Sequence, residues 1–157
     1  MTVHRVRIGK DKANLVEALT IGKETGGPFE TYADVVMFAA VYGGKDQKLV
    51  PLDQGISADP APISLEIFIS RGYEWEIKLL AIALSNDINL LSPYDWEAQA
   101  QRVTLLEQAA NGGLEKLEEQ LRGAIDYSDR LLLLLNQARL GATETKTDEF
   151  DLSHFLF

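Results

Sequence analysis

Histidines and carboxylates are the side chains most able to do chemistry, and here they are few or scattered. The two histidines, His4 and His154, lie near opposite ends, and no His-Glu-x-x-His or Glu-x-x-His pair occurs. A zinc or iron site needs imidazole, thiolate or carboxylate ligands that converge, and a nucleophile needs a base beside it. Neither histidine offers such a setting. Cysteine is missing altogether, which excludes thiolate catalysis, disulfides and cysteine-ligated metals. Glu115, Glu118, Glu119, Asp126 and Asp129 are plentiful acids, but they read as the solvated face of a long helix. Gly26-Gly27-Pro28 and Asn111-Gly112-Gly113 are turn signals, without the Lys-Ser/Thr or third spaced glycine of a phosphate loop. The expectation is a protein that is not an enzyme, with no cofactor and no metal.

One arrangement points to binding instead. Residues 3–8 alternate, with His4, Val6 and Ile8 on one side and Val3, Arg5 and Arg7 on the other, the period of a short strand. Gly9-Lys10-Asp11 breaks it, and Asp11 is placed to cap a helix carrying Leu15, Val16 and Leu19 on one face. After the Gly26-Gly27-Pro28 turn, Thr31 and Asp34 form a capping box for a second helix over 32–42, with Phe29 close to the staple position. Strand, helix, helix is the ribbon–helix–helix order, in which strands from two chains pair antiparallel and enter the major groove. Arg5 and Arg7 would then face guanine edges, and the amides beginning at Thr31 would hold a phosphate. The plainer alternative is a strand that pairs only for dimerisation, with solvated arginines.

The elements that must position these residues are helical. A loop rich in proline and charge occupies 45–62 and is the best candidate for a mobile segment. Ser64 opens a short helix through Ile69, and Gly72 separates it from a helix over 73–84. A further helix runs from about Asp95 to Ala110, with Trp96, Val103, Leu106 and Ala110 on one stripe, and Asn111-Gly112-Gly113 closes it. The next runs from Leu114 to about Ala138, with apolar residues spaced by three and four. Its Leu131–Leu135 run and the two tryptophans, Trp75 and Trp96, are expected in the core. The fold class is mainly α: a short N-terminal strand, then a bundle of about five helices. Residues 1–140 form one domain and 141–157 an acidic, aromatic tail. Within that tail Phe150, Leu152, Phe155 and Phe157 are candidate partner-binding residues.

The charge narrows the partners. The net charge is −9, yet residues 1–50 hold seven basic and six acidic side chains, against eight and eighteen in the remainder. An acidic bulk repels nucleic acid and favours a basic protein partner, so only the N-terminal third suits DNA. No apolar signal region follows Met1-Thr2-Val3-His4-Arg5, and the longest apolar runs fall short of the roughly 20 residues that span a bilayer. The expectation is a cytoplasmic protein with no membrane contact.

Three segments carry a resemblance: GPFETYADVVMFAAVYG (27–43), EIFISRGYEWEIKLLAIAL (66–84) and NGGLEKLEEQLRGAIDYSDRLLLLL (111–135). With Arg71-Gly72-Tyr73 and Asn111-Gly112-Gly113 as landmarks, the chain resembles the dnd system-associated protein 4 family of bacterial DNA phosphorothioation systems over about 5–135. The resemblance implies an accessory role in modification or restriction, with other Dnd-system proteins as partners and no active site to carry over. The resulting expectation is a homodimeric accessory component that contacts DNA through its N-terminal strand. The alternative is a protein–protein adaptor that uses the acidic helical surface and the tail.

Overall fold

A computed structural model describes residues 4–22 and 26–149, with side chains described as far as Gly141. The chain is mainly helical, as expected. It runs β1 (Arg5–Val6), a 3-10 turn at Lys10–Lys12, α1 (Ala13–Leu19), α2 (Tyr32–Lys45), β2 (Ile63–Ser64) and α3 (Leu65–Ser70). Then come α4 (Glu74–Ser85), a second 3-10 turn at Ile88–Leu91, α5 (Trp96–Leu121) and α6 (Tyr127–Glu149). It divides into two compact units, Met1–Arg122 and Gly123–Phe157.

Alternation at the start is real: Val6 and Ile8 are buried, and Arg5 and Arg7 are on the exposed side. The strand's partner, however, lies in the same chain. β1 pairs antiparallel with β2, Arg5 opposite Ser64 and Val6 opposite Ile63. The pairing extends past the strands, since the Ser57 amide donates to the Ile8 carbonyl (2.8 Å) and Lys10 to Gly55 (3.0 Å). The 45–62 segment, expected to be mobile, therefore has backbone partners. Val50 adds another by donating to the Gln108 carbonyl in α5 (3.0 Å).

The first unit is organised by α2 lying on α5. The capping box that opens α2 forms as expected. Thr31 Oγ1 accepts from the Asp34 amide (3.2 Å) and Asp34 Oδ2 accepts from the Thr31 amide (3.1 Å). Phe29 packs near the helix, its ring centroid 5.2 Å from that of Phe38. Asp11, by contrast, does not cap α1. It lies inside the 3-10 turn, and α1 begins after Lys12 without a side-chain cap.

The largest correction concerns Asn111-Gly112-Gly113, which ends no helix. α5 runs through it without interruption, and all three residues are buried. A β-carbon on Gly113 would collide with the Ala39 carbonyl oxygen, one on Gly112 with that of Lys48, and one on Gly43 with that of Ala109. These glycines let two backbones touch. Glycine costs about 1 kcal/mol relative to alanine in a helix interior, and close packing of α2 on α5 offsets that here. Gly43 and Gly44 likewise sit inside α2, which continues to Lys45. The actual break falls between α5 and α6, where Gly123 takes a left-handed φ of +77°.

Of the α6 run expected in the core, Leu131 is buried but Leu132, Leu133 and Leu135 are exposed. Both tryptophans also depart from expectation, Trp75 being 66% and Trp96 49% exposed.

Candidate functional site

The residues singled out for DNA contact do not come together in one site. Arg5 is exposed and makes no ion pair among the described residues. Arg7 is engaged. Its Nε lies 3.0 Å and 3.2 Å from the two Glu107 oxygens, its Nη2 2.9 Å from Oε2, and its own amide donates to Oε1 at 3.0 Å. Glu107 is almost wholly buried, its side chain 4% exposed against 47% for Arg7. A buried carboxylate needs this bidentate guanidinium. Its hydrogen bonds to the Glu107 carboxylate, with that group's charge, raise the Arg7 pKa above the ordinary value. β1 is thereby fastened to α5.

Thr31 belongs to a second network, at the start of α2. Its amide already donates to Asp34. Asp34 in turn receives Arg71 Nε on Oδ1 (2.8 Å), Arg71 Nη2 on Oδ2 (2.7 Å) and the Tyr73 hydroxyl on Oδ1 (2.6 Å). The anion at this helix N-terminus is thus the protein's own carboxylate. Burial opposes the charged form of Asp34, but the hydrogen bonds from Arg71, Tyr73 and Thr31 outweigh it and hold the pKa below the ordinary value. Tyr73 moves the other way, raised by its hydrogen bond to that carboxylate and by burial. The distinctive Arg71-Gly72-Tyr73 sequence has a physical role here. Gly72, at φ +88°, turns the chain so that both flanking side chains reach the same acid.

A third network surrounds Lys12, which is buried. Its Nζ lies 3.0 Å from Asp11 Oδ2 and 3.1 Å from Glu118 Oε2. Burial works against its charge, but the two carboxylates prevail and the pKa is raised. Arg102, also buried, donates from Nη1 to the Leu90 and Ser92 carbonyls. Burial lowers its pKa, although Glu74 and Asp95 work against that.

The sequence carries no expectation of the ion pairs that Glu107, Asp34 and Arg71 make. Glu107 left a signal, since it stands four residues after Val103 and three before Ala110 on the inward stripe of α5. A charge at such a position implies a buried partner. The separation of Asp34 from Arg71 by 37 positions left none. His4, expected to be a strand residue, packs against Trp96 with ring centroids 3.9 Å apart and the planes tilted by 30°. Phe150, Leu152, Phe155 and Phe157 lie outside the described residues. No helix among the described residues is long and apolar enough to cross a membrane.

The surface of the first unit also carries apolar side chains. On α4 Trp75 and Leu79 stand one turn apart, 66% and 63% exposed, while Ile77, Lys78 and Ala81 face inward. Ile67 and Ile69 on α3 are exposed as well. Lys78 holds Glu74 at 3.0 Å and lies 4.9 Å from the Trp75 ring centroid, which braces the tryptophan.

Comparison with known proteins gives one family. The family model described as DNA sulphur modification system-associated protein 4 matches residues 5–155, which carries the likeness past position 135 and into the tail. No curated protein and no solved structure matches the chain.

Proposed function

This chain belongs to the DNA sulphur modification system-associated protein 4 family, and from that premise we propose that it is an accessory, non-enzymatic component acting by binding another protein of the system. The observation that carries this reading is the contrast between its charged and its apolar groups. The ionisable side chains held in fixed geometry hold one another, as in Arg7–Glu107, Asp34–Arg71–Tyr73 and Lys12–Asp11–Glu118. They tie element to element, and a group so engaged is poorly placed to attack or protonate a substrate. Trp75 and Leu79, meanwhile, present a braced apolar pair to solvent, the residue types that anchor protein interfaces.

The test is complex formation with each protein of the sulphur-modification system, measured by size-exclusion chromatography with light scattering. The expected result is a defined complex that Trp75→Ala/Leu79→Ser abolishes while the variant's helical circular dichroism is unchanged. A complex that survives the double change but is lost on removing 142–157 would move the adaptor surface to the tail. Survival of both changes would overturn the adaptor reading.

DNA contact through β1 is a second reading, favoured by the exposed Arg5 and the near-neutral N-terminal third. It predicts duplex binding in fluorescence anisotropy that weakens steeply with salt and that Arg5→Ala reduces. Wild-type protein without salt-dependent binding removes it. Arg7→Ala is unsuited to the test because it would also unseat β1.

A further inference from the structure

Arg102 stands outside the pattern of paired charges. The residue is only 6% exposed, yet no carboxylate comes within ion-pair distance of it among the described residues. Nη1 is taken up by the Leu90 and Ser92 carbonyls. Nε and Nη2 donate to no group among the described residues. Neither is sealed in, since the side-chain atoms buried without a partner are His4 Nε2 and Asn111 Oδ1. Two donors of a largely buried guanidinium therefore remain open to solvent.

Arg102 lines a small cleft in the first unit, of about 50 Å³, together with Glu74 and Lys78 of α4. Leu65, Ile69, Ile77 and Pro93 give that cleft apolar walls. Of its three charges, Glu74 and Lys78 hold each other at 3.0 Å, so one positive charge is left over. Asp95 lies near enough to act on Arg102 through space, but its carboxylate caps α5, accepting from the Glu97 amide at 3.0 Å. Burial outweighs the pull of both acids and lowers the Arg102 pKa. A buried cation without a close counterion is costly, and an anion entering the cleft would relieve it.

We propose that the cleft receives the carboxylate of an aspartate or glutamate side chain from the protein that docks on Trp75 and Leu79, a contact that rests on the adaptor role and adds a specificity to it. One added negative charge balances the lining. A carboxylate has two oxygens to meet the open Nε and Nη2, and that fork is the strongest pairing a guanidinium makes. Size selects the tip of a side chain. A water-sized group needs roughly 10–15 Å³, so about 50 Å³ takes a carboxylate and the methylene beside it. The body of the ligand must stay outside. Apolar groups lie there to meet it: Ile69 is an exposed wall of the cleft, and Lys78, another wall, is 4.9 Å from the Trp75 ring centroid. A phosphate dianion would exceed the single charge left over, and nucleic acid would also meet the −9 of the whole chain.

The experiment is a two-dimensional ¹H–¹⁵N titration of the full chain, followed at the Arg102 Nε–H signal and the α4 amides. The probes are N-acetyl-glutamate amide, the glutamine isostere as the neutral control, butyrate and inorganic phosphate, all at matched ionic strength. The expected result is saturable movement with the capped glutamate and little with the capped glutamine. Arg102→Lys keeps the charge but loses the fork, and should weaken binding about tenfold. Glu74→Gln removes the like charge from an exposed position and should tighten binding about threefold, which keeps the question open even if Arg102→Lys fails to fold. No saturable shift, equal response to the glutamine isostere or to phosphate, or indifference to both substitutions would overturn the inference. Butyrate binding more tightly than the capped glutamate would overturn the protein source. The titration needs no partner, so its failure beside a complex that depends on Trp75 and Leu79 sinks the carboxylate contact alone. Saturable binding with no complex formed sinks the adaptor reading, and the protein source with it.

Discussion

α5 and α6 are both long, and both carry leucines at helical spacing, yet they are used in opposite ways. α5 buries Val103, Leu106, Ala110, Leu114, Leu117 and Leu121 along one stripe. α6, with five consecutive leucines, leaves Leu132, Leu133, Leu135 and Leu140 exposed. Apolar content does not separate them. α5 has a neighbour shaped to receive it, with Ala39 and Gly43 of α2 in direct backbone contact. Burial follows from the shape of the neighbouring surface as well as from the apolar count.

Substitution at the α2–α5 contact is the strongest way to break this contrast. Gly113→Ala would drive a methyl into the Ala39 carbonyl, and overpacking against backbone should cost about 3 kcal/mol, read as a lower urea midpoint at unchanged slope. The same change at Gly123 meets no neighbouring atom, and there only the left-handed φ opposes it, at about 1 kcal/mol.

Next in size is the Arg7–Glu107 pair. Arg7→Ala leaves a buried carboxylate with only one amide donor, whereas Glu107→Gln leaves a half-exposed guanidinium that water can serve. We expect about 2–3 kcal/mol for the first and clearly less for the second. The reverse order in denaturant unfolding would show that the pair is not what fastens β1 to α5.

A smaller effect is expected with pH at the start of α2. Asp34 has a folded-state pKa below its unfolded value, so its stabilising contribution is complete above the unfolded carboxyl range, near pH 4. It is lost as pH falls through the lower, folded value. Asp34→Asn should therefore flatten the acid side of a thermal-stability profile, and parallel profiles would count against the clamp. Smallest of all, Leu132→Ser or Leu135→Ser on α6 should change stability by no more than about 0.5 kcal/mol. A larger loss in thermal melts would erase the distinction between the two helices.

Local rules explain what was legible. The Thr31–Asp34 box spans three residues, and the Val6/Ile8 alternation two, so both could be read directly. At Asn111-Gly112-Gly113 a local stop signal is overridden by the proximity of α2, a tertiary fact. β1's partner is some sixty residues away in sequence, and no pattern in residues 3–8 distinguishes β2 from a second chain. The arginine fork on Glu107 could have been anticipated from the acid's place on the α5 stripe, whereas the acid's partner could not. The bonds from Asn111 Nδ2 to the Val50 and Pro51 carbonyls carry no sequence signal, since those partners lie some sixty residues away.

The glycine contact also has a mechanical consequence. With carbonyl against α-carbon at Gly43 and Gly113, the two helices have no compressible side-chain layer between them at that point. Sliding one along the other would drive backbone into backbone, so the spot acts as a fulcrum. Load applied at one end of α5 is then met by turning about it, and the Trp96 end, being farther from the fulcrum than Leu121, sweeps the longer arc.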